Sequence, residues 1–200
     1  MEQHPTQKKI LDETIRIIET SGEASVRVHD IEVAVGVTAP SIYHFFGSRE
    51  GLIAEAQAER LLRSFQRFDG ALDEALATIH SRESGRVALH GLLALIYDSS
   101  RSIERQQRLF AMGSAEGRPE LAQRVAEMAQ FYLEGTAERL QPLQDQGWVR
   151  PELDLKAFMY WLAGQILGRV YIEIGRESTV YPEWDAISEE ALAYLLFGPE

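Results

Sequence analysis

Two stocks of reactive side chains stand out in this 200-residue chain, and their spacing decides what each can do. Five histidines (His4, His29, His44, His80, His90) and 31 carboxylates could serve metal binding or acid–base work. None stands in a metal or triad spacing: there is no His-Glu-x-x-His, no nucleophile elbow and no phosphate-cradling glycine loop. Cysteine is absent, which removes thiolate chemistry, cysteine metal sites and disulfides. No catalytic residue, metal or cofactor is therefore expected, and an all-α enzyme is the remotest reading. The second stock lies in residues 28–46, Val-His-Asp-Ile-Glu-Val-Ala-Val-Gly-Val-Thr-Ala-Pro-Ser-Ile-Tyr-His-Phe-Phe. This reads as helix, tight glycine turn, helix. Gly36 supplies the positive φ of the turn, and Val37 plugs the angle between the helices. Ile31, Val35, Ile42 and Phe45 can share a core. Thr38, Ala39, Pro40 and Ser41 then fall at the exposed start of the second helix. In a helix-turn-helix reader, that end enters the DNA major groove.

The elements that hold this segment follow from helical periodicity; alternating strand patterns are missing. Ile10, Leu11, Thr14, Ile15 and Ile18 place a first helix over about residues 6 to 21, stopped by Ser21-Gly22. A second runs from Val28 to Val35, and a third from Thr38 to about Phe46. Gly47 breaks the chain and Ser48 caps a fourth, longer helix. Beyond Gly70 the texture turns to long Ala- and Leu-rich helices, expected near 71–80, 86–100, 102–112, 119–143, 154–175 and 184–197. Glycines and prolines mark the breaks, including one expected near Pro142 and one from Gly175 to Pro182. The fold class is all-α: a three-helix unit in residues 1–50 followed by a larger helical bundle in 51–200.

The spacing in the N-terminal unit resembles the DNA-binding domain of the TetR (tetracycline-repressor-like) transcriptional regulators. That family's pattern is Ile-Ala-x-x-Ala-Gly-Val-Ser, then x-x-x-Leu-Tyr-x-x-Phe, then x-Ser-Lys-x-x-Leu. Here it takes the form Ile31…Gly36-Val37-Thr38, Ile42-Tyr43-His44-Phe45-Phe46 and Ser48-Arg49-Glu50-Gly51-Leu52, with Ile10-Leu11-Asp12 and Gly22 in the first helix and its ending. Gly147 to Asp154 resembles the family's lead-in to its penultimate long helix. There are three departures: Glu32 replaces a small residue, Val35 replaces alanine, and the polar cap before the second helix falls on Arg27, with Ser25 two residues earlier. The resemblance implies that Thr38, Ser41, Tyr43 and His44 bond phosphates, that Ala39, Pro40 and Ser41 face base edges, and that Arg27 and Arg49 touch the backbone. With no Arg, Lys, Asn or Gln in Thr38–Ser41, specificity should lean on van der Waals contacts, water and DNA shape.

The bundle is expected to dimerise and to hold an effector. The helix at 154–175 is apolar nearly all round, so it needs a second partner surface. Tyr160, Gly164, Leu167, Gly168 and Tyr171, with Leu192, Leu195 and Leu196, would form a four-helix seam between two copies. His90, Tyr97, Phe110, Met112, Met128, Phe131, Tyr132, Trp161 and Gln165 are candidates to line a pocket for a small apolar effector. The Arg169–Glu173 pair and the run Arg101, Arg105, Arg108 read as solvated faces. Together these give a cytoplasmic homodimeric repressor on pseudo-palindromic operator DNA, released by a small molecule. The alternative keeps the helix-turn-helix but makes the bundle a ligand-free dimerisation or docking module.

Charge argues the other way. The chain carries 20 Lys+Arg against 31 Asp+Glu, a net −11, where phosphate binding usually leaves a basic footprint. Even residues 1–50 hold five basic against eight acidic side chains. Phosphate contacts should therefore be few and local. No stretch is apolar enough for a membrane span, and the N-terminus lacks a signal-peptide core.

Overall fold

The computed structural model describes residues 4–174 and 181–199, and among these there are helices and no strand. The helices are α1 (Pro5–Ser21), α2 (Val28–Val35), α3 (Ala39–Phe46), α4 (Arg49–Gln66), α5 (Asp69–Thr78), α6 (Arg82–Tyr97), α7 (Ser102–Gly113), α8 (Pro119–Asp145), α9 (Leu155–Gly168), α10 (Val170–Glu173) and α11 (Pro182–Phe197). None of them is long and apolar enough to cross a membrane. The chain divides into two compact units: residues 1–63 with 111–129, and residues 64–110 with 130–200.

In the first unit the periodic residues of α1 meet the helix-turn-helix. Ile10, Leu11, Ile15, Ile17 and Ile18 pack with Val26, Ile31, Ile42, Phe46, Leu52, Ile53 and Ala56. Gly36 ends α2 in the left-handed region (φ 75°, ψ 37°), the conformation its position demands. Ser48 Oγ accepts from Gly51 N at 2.9 Å and so starts α4. Gly51 is itself required, because a Cβ there would lie 2.2 Å from the Phe46 carbonyl oxygen. Arg118 ties the unit together by ion pairs to Glu23 and Glu50, and Arg124 does so to Glu55.

The second unit is built around Leu89, Leu93, Tyr97, Leu133, Leu140, Leu155, Phe158, Met159, Leu192, Leu196 and Phe197. Helix α6 packs on α5 and α11, and Gly85 accepts the edge of the Phe197 ring, which a Cβ would meet at 2.6 Å. Expected boundaries shift, among them the helix placed over 86–100, which runs from Arg82 to Tyr97. The break near Pro142 does not occur: α8 runs to Asp145 with Pro142 inside it. A proline this close to a helix end costs only one backbone hydrogen bond. The single helix expected over 154–175 is instead α9 followed by the one-turn α10, with Arg169 at the join. Most of the break expected from Gly175 lies outside the described residues.

Candidate functional site

The helix-turn-helix presents one edge of side chains. On α3, Pro40, Tyr43 and His44 are exposed, as is Thr38 before it, while Ala39 and Ser41 are half-buried. Their opposite neighbours Ile42 and Phe46 are in the core, so the 3.6-residue period sorts the helix into a buried and an open face. Tyr43 keeps 43% of its surface exposed, so its hydroxyl is available rather than packed away. Thr38 makes no capping bond to the backbone; its hydroxyl lies 3.1 Å from that of Ser41. Phe45 sits half-buried between the rings of His4 and His44, with centroids at 5.3 and 5.5 Å.

The carboxylate of Glu32, the first of the departures, caps α3. Its Oε1 accepts from Ala39 N at 2.5 Å, taking the place Thr38 leaves open and fixing α2 to the start of α3. That position favours negative charge because several backbone N–H groups converge there. Arg27 is exposed and begins α2 with no side-chain cap. Ser25 does not cap α2 either: its hydroxyl donates to the Ser21 carbonyl at 2.8 Å. Arg49 is half-buried, donates to the Val26 carbonyl at 3.0 Å and pairs with Glu50 at 2.7 Å. It therefore joins the start of α2 to α4 as well as facing outward.

Of the nine residues expected to line a pocket, His90 and Tyr97 line one cavity together. Met112 and Met128 belong to the first unit and the other seven to the second. Phe110 and Phe131 are 61% and 68% exposed. Trp161 is exposed and stacks on Phe158, and Gln165 is half-buried. Tyr132 is committed elsewhere: it stacks on Phe65 at 4.8 Å and donates to the Phe65 carbonyl and Asp69. Burial, and then the bond to Asp69, push its phenol up. His90 and Tyr97 do share a cavity of about 370 Å³, lined also by Leu93, Ala94, Asp98, Ser99, Arg169, Asp185 and Glu189. It is not the apolar pocket anticipated.

Behind that cavity lies a buried ion network that the sequence reading placed in solvent. Arg105 and Arg169 are 2% and 1% exposed, and Glu173 is 1% exposed. Arg105 Nε lies 3.0 Å from both Glu173 oxygens, and its other nitrogens donate to the carbonyls of Ile96 and Asp98. Arg169 pairs with Glu173 at 3.1 Å and with Asp185, and its guanidinium lies over the Tyr97 ring at 4.8 Å. Arg108 is buried too, donating to Ser64 and lying over the rings of Phe65 and Phe68. Burial pushes its pKa down to about 10, so it stays charged at neutral pH. Charged groups this deep persist only when paired. Glu173, 68 residues away, supplies the partner for Arg105, while Arg169 meets Glu173 four residues on and Asp185 sixteen residues on.

The expected dimer residues fall into two groups. Tyr160, Gly164 and Tyr171 are exposed, and Leu167, Gly168 and Leu195 are half-buried. Leu192 and Leu196 instead point into their own core at 0% and 7% exposure. Gly168 faces Trp184 of the same chain, while Gly164 opens to free space.

Residues 10–56 match the family model described as bacterial regulatory proteins, tetR family. Solved structures align over nearly the whole chain. One, from Rhodococcus sp., was determined as a TetR-family transcriptional regulator; it is 19% identical, with 96% of this chain and 98% of that chain covered and a TM-score of 0.68. A transcriptional regulator from Saccharomonospora viridis in complex with choline is 20% identical over 97% and 98% of the two chains, with a TM-score of 0.60. The multidrug binding protein EbrR complexed with imidazole is 18% identical over 99% and 98%, with a TM-score of 0.62. No curated protein matches at the level of sequence. Residues 10–56 are thus similar to the N-terminal domain of the tetR family of bacterial regulatory proteins, and the chain shares the all-α fold of these solved structures.

Proposed function

We propose that the chain is a sequence-specific DNA-binding transcriptional regulator. The observation that carries this is the open edge of α3, Thr38 to His44, set at a fixed angle by the Gly36 turn within a unit that matches the family model. Residues 1–50 act as the reader and 51–200 as the regulatory and dimerisation part. Thr38, Ser41, Tyr43 and His44 bond phosphates, with Arg27 and the outward part of Arg49. Ala39, Pro40 and Ser41 meet base edges, where small apolar groups suit thymine methyls.

A homodimer reads two half-sites of a pseudo-palindrome. The exposed apolar side chains Tyr160, Trp161, Tyr171, Ile174, Ile187 and Tyr194 support a covered face on α9 to α11. A small effector in the second unit lowers operator affinity through its unequal affinity for two arrangements. The choline and imidazole complexes of the similar folds support a ligand of small size.

Selection of bound DNA from a random library tests the proposal. A paired, inverted motif is expected; no enrichment refutes it. Tyr43→Ala and Arg27→Ala should each weaken binding roughly tenfold across sequences.

A further inference from the structure

We propose that the cavity between α6, the α9–α10 join and α11 is a site for a small organic cation bearing N–H donors, an alkylammonium. This rests on the effector reading above and names the ligand class.

The cavity's charge is unbalanced. Among the described residues, three carboxylates line it, Asp98, Asp185 and Glu189, against a single fixed cation, Arg169. Arg169 is not available to recruit an anion: it is 1% exposed and already faces Glu173 at 3.1 Å and Asp185. Its guanidinium also sits over the Tyr97 ring. The second cation of the network, Arg105, is spent on Glu173 and two backbone carbonyls. His90 approaches Glu189 at 2.9 Å but cannot offset all three carboxylates.

An independent sign of a missing partner is the Tyr97 hydroxyl. Tyr97 is 4% exposed and lines the cavity, yet among the described residues its hydroxyl oxygen has no partner within hydrogen-bond geometry, although Ser188 stands close by. Buried hydroxyls in native proteins nearly always find a partner. An ammonium group donates and never accepts, so it would satisfy this oxygen and the carboxylates together. A carboxylate ligand would face three like charges, and the volume of about 370 Å³ admits a small molecule only.

The test is titration calorimetry on the full chain with butylammonium, tetramethylammonium, butyrate and butanol. Saturable binding of butylammonium is expected, with no heat from butyrate or butanol. Glu189→Gln and Asp98→Asn should each weaken it at least tenfold, with unaltered melting curves for the free variants. Tyr97→Phe should weaken butylammonium but leave tetramethylammonium unchanged, since only the former can donate to the hydroxyl. Butyrate binding as tightly as butylammonium, or no butylammonium binding at millimolar concentration, overturns the site. Operator affinity is measured on the same samples. Butylammonium bound without a change in DNA affinity upholds the site and refutes its effector role. DNA binding with no amine binding refutes the ligand class and leaves the regulator standing.

Discussion

Glu173→Gln should be the most damaging single isosteric change in the second unit. Among the described residues, Glu173 is the one carboxylate shared by Arg105 and Arg169. Neutralising it leaves Arg169 with Asp185, whose side chain is 36% exposed. Arg105 keeps only neutral carbonyl acceptors at 2% exposure. One buried charge is thus uncompensated, a defect that costs about 3–5 kcal/mol. For a chain of this size, that corresponds to a fall in melting temperature of about 10 °C. Calorimetry and urea denaturation would measure it. Lys156→Ala is the control: its pair with Glu134 is 2.6 Å long but 56% exposed on the lysine side, so solvent screening should make its loss nearly silent in the melting curve. The double variant Arg105→Met with Glu173→Leu should recover much of the loss, because no charge is then stranded. A Glu173→Gln loss no larger than that of Lys156→Ala would refute the buried network as described.

Three further outcomes follow from the geometry. Gly51→Ala should destabilise the first unit by about 1 kcal/mol or more on denaturation: the clash with the Phe46 carbonyl outweighs the roughly 1 kcal/mol that alanine gains in a helix. Glu32→Gln should tighten non-specific DNA binding and steepen its salt dependence, measured by anisotropy at several salt concentrations, because a negative charge leaves the start of α3. Stability should be level near neutrality and decline below about pH 4. Hydrogen bonds from Arg16, Arg124 and Lys156 hold the carboxyls of Glu13, Glu127 and Glu134 below their ordinary values. A group depressed in the folded state stabilises above its unfolded value and loses that contribution as pH falls through the folded one. Melting curves unchanged from pH 6 to pH 3 would contradict this.

Seventeen of the chain's twenty basic residues are arginine, and their use shows where sequence reasoning reached and where it stopped. Arg101, Arg105, Arg108 and the Arg169–Glu173 pair have the spacing of solvated helix faces, and in isolation they would be solvated. Arg105 and Glu173 are 68 residues apart. No local pattern announces that two such groups meet, because burial of a charge depends on a partner brought by the fold.

The candidate pocket residues were not separable by sequence for a related reason. Aromatic and methionine side chains are equally good as core, surface or lining, and only packing distributes them: Tyr132 against Phe65, Phe131 to the outside, Tyr97 to a cavity wall. Leu192 and Leu196 followed the inner side of α11 rather than the expected seam.

What the sequence determined by itself is local. Helical periodicity, the left-handed glycine at Gly36, the serine at the start of α4 and the ordered spacing from Ile10 to Leu52 act within a few turns of chain, so all-α structure and the helix-turn-helix were legible. Glu32 was visible as a departure, but its bond to Ala39 was not, since it crosses the turn between two helices. The tertiary structure alone decided which charges are buried, which hydroxyl lacks a partner and which carboxylates face one cavity. Those properties depend on the removal of water and on contacts between distant segments, and neither is written in local spacing.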